Sequence, residues 1–238
     1  MVDRDCDFTF AHYADCLRLA VDMGYEFSRC VDLIGATTGD RTVVLRHDVD
    51  EAPDRAAKFA EIENALGIPA TYFWRVSANG YNVFGYEVYS LIKDLQAAGH
   101  EIGLHAEPLD YESATGVPRE QALELQLAIF RLLAGTDKPP GIASHRDQTR
   151  DNNLDFLSAV DPAAHGFAYE AYGREPLDLF HTAQYITDSL GRWRRFDRGV
   201  LTDDERCLCA QLADRRPLVY VLTHPHNWYG RHFHRVRY

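Results

Sequence analysis

Short apolar runs that alternate with helical patterns are the feature of this sequence that most restricts its fold. After residue 40, the predicted strands are 42–47, 70–76, 101–105, 141–144, 166–170, 184–188 and 217–223. Between them, apolar residues spaced about 3.6 apart predict helices at 53–66, 86–98, 119–134 and 152–160. Strands that alternate with helices pair in parallel through right-handed crossovers. The sequence therefore predicts an α/β fold, either a barrel or a doubly wound sheet.

The first 40 residues precede this alternation and are predicted to be helical. Apolar spacing predicts an opening helix over 10–24 and a second, shorter helix over 27–35. No internal repeat, low-complexity tract or long linker rich in Gly, Pro or Ser divides the chain. We therefore expect one domain over residues 1–238, with residues 1–40 as a helical extension packed on the α/β unit.

Residue types that bind metals or transfer protons stand where four predicted strands end. The segment LRHDVD at 45–50 closes the first strand, and three later strands end in histidine. In parallel α/β folds the carboxyl ends of the strands meet on one face, where sites are built. We therefore expect five side chains that are distant in sequence to converge, namely Asp48, Asp50, His105, His145 and His224.

The mixture of carboxylates and imidazoles indicates which metals such a site would hold. Calcium and magnesium prefer shells made of oxygen, whereas zinc, iron, nickel, cobalt and manganese accept imidazole. A single Asp or His at a strand end is more often a helix cap or a hydrogen-bonding loop residue, but four strand ends agree here. The pattern therefore predicts a divalent transition metal.

Charge and composition argue against several classes of main partner. The formal net charge is −11 at pH 7, whereas nucleic acids and anionic membrane surfaces require a basic face. The first ten residues lack a basic segment followed by an apolar one, and no run of about 18 apolar residues occurs. Five scattered cysteines without a C-x-x-C pair are typical of reduced thiols, and Cys207-x-Cys209 alone is a weak signal for a metal. We expect a cytoplasmic protein without a membrane span that acts on a small molecule.

Four motifs, in this order and spacing, resemble the polysaccharide deacetylase superfamily. They are LRHDVD at 45–50, GHEIGLH at 99–105, ASHRD at 143–147 and LTHPHNW at 222–228. The likeness extends from about residue 8 to residue 228 and includes TYFWR, YNVF and ITDSLGRW. Within these NodB-homology, or carbohydrate esterase family 4, proteins it points to the divergent branch that bears HDVD.

The resemblance implies a single-domain, distorted (β/α)7-type barrel on which residues 1–40 would pack. It also implies a divalent metal, often zinc, bound by one Asp and two His, with a second Asp as general base, an Arg that orients this base and a His as general acid. The family's first motif ends in two adjacent acids, whereas Val49 here separates Asp48 from Asp50. We assign Asp48 as the base and Asp50 as a metal ligand, and leave the exchange of these roles open.

The second motif departs from the family pattern at one ligand. His105 matches the first His of that motif, but Leu109 stands where the second His is usual. Our choice for the third ligand is His145, which ends its own strand and supplies a neutral imidazole. Glu107 and Asp110, on the loop after His105, remain alternatives.

The remaining roles come from the third and fourth motifs. Arg146 resembles the family's base-orienting Arg, with a surface ion pair as the alternative, and His224 is the expected acid, ahead of His226. Asp188 would hold such an Arg or a substrate hydroxyl. Four aromatic side chains are expected near a bound sugar, unless they belong to the packing of the barrel: Tyr72, Tyr81, Trp193 and Trp228.

These residues predict the removal of an acyl group, most simply N-acetyl, from a carbohydrate or amino-sugar-like intermediate that is free or linked to a carrier. The absent second-motif His admits another hypothesis, a catalytically silent barrel that binds a sugar or a protein partner. Metal content separates the two, because the silent barrel needs no transition metal. A serine hydrolase is disfavoured because no G-x-S-x-G segment is present.

Overall fold

The computed structural model describes residues 7–36, 39–146 and 151–231. In these ranges the strands are β1 (Glu26–Ser28), β2 (Thr42–Val49), β3 (Thr71–Trp74), β4 (Glu101–Ala106), β5 (Gly141–Ser144), β6 (Tyr169–Glu170), β7 (Gln184–Thr187), β8 (Arg194–Asp197), β9 (Val200–Leu201) and β10 (Leu218–Thr223). The α-helices are α1 (Phe10–Asp22), α2 (Pro53–Leu66), α3 (Tyr86–Ala97), α4 (Pro108–Thr115), α5 (Arg119–Ala134), α6 (Asn153–Ala159), α7 (Leu179–Thr182) and α8 (Leu208–Leu212). None of these helices has both the length and the apolar composition needed to cross a bilayer.

The strands form one sheet in which parallel pairing dominates. Parallel neighbours follow the order β6, β5, β4, β3, β2, β10 and β7. The strands of a closed ring would stand in this order with β6 beside β7, but no ladder joins β6 and β7 among the described residues. β1 lies parallel to the first part of β2, and β8 and β9 extend the β7 edge in antiparallel pairing. The chain is therefore a mixed α/β fold around a central, mainly parallel sheet.

Strand β2 shows how the sheet separates two sets of side chains. Val43 and Leu45 pack into the cluster beneath the helices, while Val44 belongs to a second cluster on the other face, here called the inner face. Because side chains alternate along a strand, Arg46 and Asp48 share the inner face with Val44. The charged end of β2 therefore lies on the face opposite the main helix packing.

Two glycines make room for large rings on the inner face. A Cβ atom on Gly103 would overlap the ring of Phe73, and one on Gly141 would overlap the ring of Tyr169. Both rings belong to the inner cluster. Each ring therefore fills space that its neighbour on the adjacent strand leaves free.

The first 40 residues differ from the prediction. The helix predicted over 27–35 is wrong, because Glu26–Ser28 forms β1 and Val31–Leu33 forms a single 3-10 turn. β1 pairs with β2, so residues 1–40 contribute a strand to the sheet as well as helix α1. The first part of β2 has an edge that β3 does not cover, and the backbone hydrogen bonds that β1 makes there outweigh the local preference for a helix. Helix α4 and the antiparallel pair β8 and β9 are further additions to the predicted pattern.

Candidate active site

Asp48 is held by Arg46, two residues earlier on the inner face of β2. The guanidinium donates from Nε to Oδ1 and from Nη2 to Oδ2 of Asp48, both at 2.7 Å. Its Nη1 donates to the Tyr220 hydroxyl at 3.1 Å, and its carbon lies 4.5 Å from the centre of the Tyr172 ring. Burial opposes ionisation of Asp48, but Arg46 keeps the pKa of this carboxyl below its ordinary value.

The guanidinium beside Asp48 thus belongs to Arg46 and not to Arg146. Arg146 follows β5 in a left-handed backbone conformation with φ 57°, and its side chain is 71% exposed. It lies 3.4 Å from Asp110, as a surface ion pair. The sequence contained a local sign of the pair between Arg46 and Asp48, because residues two apart in a strand have their side chains on the same face.

Asp50 faces two imidazoles beyond the end of β2. Its Oδ1 lies 3.1 Å from Nε2 of His105 and 3.7 Å from Nε2 of His145. This oxygen is buried and accepts no hydrogen bond from the described residues. Burial opposes ionisation of Asp50, but His105 holds the pKa of the carboxyl well below its ordinary range. Nε2 of His105 also lies 3.5 Å from Oδ2 of Asp48.

The other ring nitrogen of each imidazole lies close to an oxygen atom. Nδ1 of His105 lies 3.1 Å from the carbonyl oxygen of Ala143. A carbonyl only accepts, so Nδ1 carries a proton and Nε2 is the nitrogen that faces Asp50. Nδ1 of His145 lies 3.2 Å from Oε2 of Glu107, at ion-pair distance. Both rings therefore turn Nε2 toward the unpartnered carboxylate oxygen, as metal-binding imidazoles do.

Arg75 and Glu107 form a supporting pair that the sequence pattern did not assign. Nε and Nη2 of Arg75 donate to Oε2 of Glu107 at 3.1 and 2.6 Å. Arg75 directly follows β3 and Glu107 directly follows β4. Neighbouring parallel strands end side by side, so residues that directly follow β3 and β4 are expected to meet. This shared position was the sign in the sequence that Arg75 and Glu107 would pair.

His145 is shared by two possible ligand sets. Among the described residues, Glu107, Asp110 and His145 offer ligand atoms that all lie within 4.8 Å of one another. Asp50, His105 and His145 are not such a set, although both imidazoles face Asp50. The three candidates for the third ligand are therefore neighbours in space.

The donors around Asp50 suit a divalent transition metal. Zinc bonds of about 2.0–2.1 Å place neighbouring nitrogen and oxygen ligands about 3.3 Å apart in a tetrahedron. The two nitrogen–oxygen distances, 3.1 and 3.7 Å, lie on either side of that value. A buried carboxylate oxygen without a partner among the described residues needs a cation or a donor. One Asp and two His are the ligand types of catalytic zinc sites, which leave a fourth position for water. No choice of one ligand atom from each brings all three within 4.8 Å, so these side chains must move closer together to bind an ion.

Asp188 orients His224, which follows β10. Nδ1 of His224 donates to Oδ1 of Asp188 at 2.6 Å, and Nε1 of Trp228 donates to Oδ2 at 2.7 Å. Asp188 is fully buried, and its carboxylate accepts from His224 and Trp228, while no arginine in the described ranges forms an ion pair with it. Burial lowers the pKa of His224, but Asp188 more than offsets this and raises it to about 9. Burial and the His224 charge lower the pKa of His226.

The four aromatic side chains expected near a sugar lie in the framework of the protein. Trp228 and Tyr72 are fully buried, and Trp193 is 6% exposed. The rings of Trp193 and Trp228 pack 6.0 Å apart. Tyr81 is half-buried, and its hydroxyl donates to the carbonyl oxygen of Val49 at 2.6 Å. These rings position the strand ends and do not line the pocket.

A small pocket joins the strand-end groups and opens into a wider cleft. The pocket has a volume of about 170 Å³, and its lining includes Asp48, Asp50, His105, His145, His224 and His226. The cleft has a volume of about 620 Å³ and shares with the pocket Asp50, His145, Arg146, Leu190 and His226. The acidic and imidazole side chains of the pocket can thus be reached from solvent through the cleft.

Compared with profiles of protein families and with curated proteins, the sequence gives no match. Among solved structures, the chain is similar to the chitin deacetylase of the fungal pathogen Colletotrichum lindemuthianum, with a TM-score of 0.34 and 17% sequence identity. The likeness covers 54% of this chain and 54% of the fungal one, about half of each length. A likeness this weak carries no argument about activity.

Proposed function

We propose that this chain is a metal-dependent hydrolase that removes an acyl group, most simply N-acetyl, from a carbohydrate or amino-sugar-like substrate. One observation carries the proposal. A carboxylate held by an arginine, two imidazoles that face a second carboxylate, and a histidine with a raised pKa line one pocket. They lie within or just beyond the carboxyl ends of parallel strands, where catalytic residues gather in α/β folds.

Asp50, His105 and His145 would hold the metal, zinc first among the candidates. When bound, the metal polarises the acyl carbonyl and acidifies a water molecule. Asp48, kept ionised by Arg46, accepts the proton of the attacking water. Hydrogen bonding supports this division of roles, because Arg46 engages both oxygens of Asp48, whereas Oδ1 of Asp50 accepts no hydrogen bond from the described residues.

His224 is the proposed general acid. An amine leaves poorly until it is protonated, and the pKa of about 9 keeps His224 charged at neutral pH. Asp188 fixes the ring through Nδ1, so the proton on Nε2 is the one that can be transferred to the substrate. His226, with its lowered pKa, lines both the pocket and the cleft and is suited to accept a hydrogen bond from the substrate.

The two cavities indicate how the substrate would lie. Sites that hold a whole small molecule usually have volumes of about 300–1,000 Å³. The pocket of about 170 Å³ is smaller and would take the acyl group alone. The cleft of about 620 Å³ falls in the range and would take the sugar. Its polar lining, which suits hydroxyl groups, includes Arg75, Ser113, Asn152 and Asn153.

The proposal includes the architecture of the resembled family, a distorted barrel formed by one domain. Seven parallel strands in ring order support it, as do the polar residues at their carboxyl ends. The gap in the ladder lies between β6 and β7. Across this gap the backbone N–H of Phe180 donates to the carbonyl of Tyr172 at 2.7 Å, and Tyr172 packs 6.4 Å from Tyr185 of β7.

Acetate release tests the proposal. The zinc-loaded protein is incubated with N-acetylated amino sugars, both free and nucleotide-linked, and the acetate released is quantified. We expect release that requires the metal and is abolished in Asp48→Asn. Asp137→Asn is the control, because Asp137 is exposed between α5 and β5 and lines neither the pocket nor the cleft. A protein that binds no transition metal and releases no acetate favours the silent barrel instead.

A further inference from the structure

Four metal-binding side chains meet between α1 and α8, apart from the pocket. His12 and Cys16 lie one turn apart on α1, so they share a helix face. Cys207 directly precedes α8, and Cys209 lies within it. One ligand atom from each side chain can be chosen so that all four lie within 4.8 Å of one another. Two segments from opposite ends of the chain therefore supply one cluster.

The contacts inside this cluster are short. Nε2 of His12 lies 2.9 Å from Sγ of Cys207 and 3.5 Å from Sγ of Cys16. The sulfurs of Cys207 and Cys209 are 3.1 Å apart. His12, Cys16 and Cys207 are buried and Cys209 is half-buried. No disulfide joins the cysteines within the described ranges.

Three sulfurs and one imidazole nitrogen are a donor set typical of structural zinc. Such sites are four-coordinate, tetrahedral and closed to substrate, and Cys3His is one of their standard compositions. Bonds of about 2.3 Å to sulfur and about 2.0 Å to nitrogen give ligand separations of about 3.6–3.8 Å. Three of the six separations, 2.9, 3.1 and 3.5 Å, are slightly shorter than this, and all six lie within 4.8 Å, so modest shifts of the side chains would accept the ion.

We propose that His12, Cys16, Cys207 and Cys209 form a structural zinc site that clamps the first helix to the C-terminal part of the chain. The site does not depend on the proposed hydrolase activity. His12 and Cys207 are 195 residues apart, so the ion would close most of the chain into one loop. Helix α1 also carries Tyr13, which packs in the main core.

Cobalt substitution tests this site directly. Cobalt bound by thiolates shows an intense sulfur-to-metal charge-transfer absorption in the near ultraviolet, whereas the pocket offers only nitrogen and oxygen ligands. We expect the reduced, metal-free full chain to develop this absorption on titration with cobalt, with saturation at one thiolate-bound ion per chain. The absorption should remain in His105→Ala, which removes a pocket imidazole only.

Alanine variants of three cysteines decide between this site and scattered thiols. Cys16→Ala and Cys209→Ala should lose or strongly weaken the absorption, and addition of zinc should raise the melting temperature of the wild type more than theirs. Cys30→Ala is the control, because Cys30 is equally buried but lies in the inner cluster. Absence of the charge-transfer absorption in the fully reduced wild type overturns the proposal. So does an absorption in Cys209→Ala equal to that of the wild type.

Discussion

Asp48 and Asp50 are two residues apart and have different partners. Arg46 neutralises Asp48 through two hydrogen bonds, while Oδ1 of Asp50 faces two imidazole nitrogens. A carboxylate paired with an arginine is kept ionised and fixed in position, and one that faces ring nitrogens is suited to share a cation with them. The chemistry of the pocket depends on this difference.

Substitution by asparagine separates the two acids. Asp48→Asn should keep the pocket metal and lose about 10²–10⁴-fold in the rate of acyl hydrolysis, because an amide does not accept the water's proton. Asp50→Asn should lose the metal itself. Elemental analysis together with the rate of acetate release checks both variants. Metal loss in Asp48→Asn with retention in Asp50→Asn would exchange the two roles.

The free energy of unfolding shows which arginine, Arg46 or Arg146, pairs with Asp48. Arg46→Met should destabilise the protein by roughly 3–5 kcal/mol, because it leaves Asp48 charged, buried and unpaired. Arg146→Met, the control, should change stability by less than about 0.5 kcal/mol, because that side chain is mostly exposed. Urea unfolding at pH 7 measures both values, and equal midpoints for the two variants would refute the assignment.

The pH dependence of catalysis reports on Asp188. The folded-state pKa of His224, about 9, lies above the ordinary value near 6.5. The stabilisation of the fold by the pair of charged His224 and Asp188 is therefore fully present below about pH 6.5. It is lost as the pH rises through about 9 and His224 loses its proton. Asp188→Asn removes the main cause, so the alkaline limb of the rate profile should move toward lower pH. An alkaline limb at the same pH in both proteins would exclude His224 as the acid.

At the scale of elements, the buried carboxylate of Glu63 ties helices to the sheet. Its Oε1 accepts from the hydroxyl of Tyr13 on α1 at 2.5 Å and lies 2.8 Å from Nε2 of His47 on β2. Its Oε2 accepts from the hydroxyl of Tyr72 on β3 at 2.6 Å. His47 in turn contacts Thr223 of β10 at 2.7 Å through Nδ1. This network thus holds the strands that carry the pocket residues to the helices on the outer face of the sheet.

Replacement of Glu63 tests that network. Burial opposes ionisation of Glu63, but His47 keeps its pKa below the ordinary value. Its contribution to stability is therefore present above about pH 4.5 and is lost as the pH falls through the lower folded-state pKa. Glu63→Gln should cost at least about 1.5–3 kcal/mol at pH 7, with a smaller cost in acid. Glu61→Gln, on the exposed side of α2, should change little, and equal urea midpoints would contradict the network.

Local patterns predicted the elements that form the sheet but not the partners of buried charges. Apolar spacing places α2 at its observed bounds, yet it gives no reason to bury Glu63, because the groups that bind Glu63 come from three other elements. Strand β1 was mistaken for a helix for the same reason, since its pairing partner is 16 residues away in the register Glu26 to Thr42. Non-local partners decide both cases.

At the scale of the whole molecule, parallel topology explains why site residues were predictable. Polar residues at the ends of β2, β4, β5 and β10 had to approach one another once the strands paired in parallel, and they line one pocket. The support around them was harder to foresee. The expected roles of Arg146 and Trp193 came from motif position, whereas exposure and packing depend on how loops leave the strands. The cluster of His12 with Cys207 joins distant segments, so the sequence offers only the weak signal of Cys207-x-Cys209 for it.

The number of zinc ions per chain, counted by native mass spectrometry of the intact protein, tests the central claim that a metal binds beside Asp50 at these strand ends. The account predicts that His105→Ala and His145→Ala each carry one ion fewer than the wild type. Asp110→Ala should carry the same number as the wild type, because its carboxylate is outside the proposed ligand set. Equal counts in the wild type and His105→Ala, or loss of an ion in Asp110→Ala but not in His145→Ala, would contradict it.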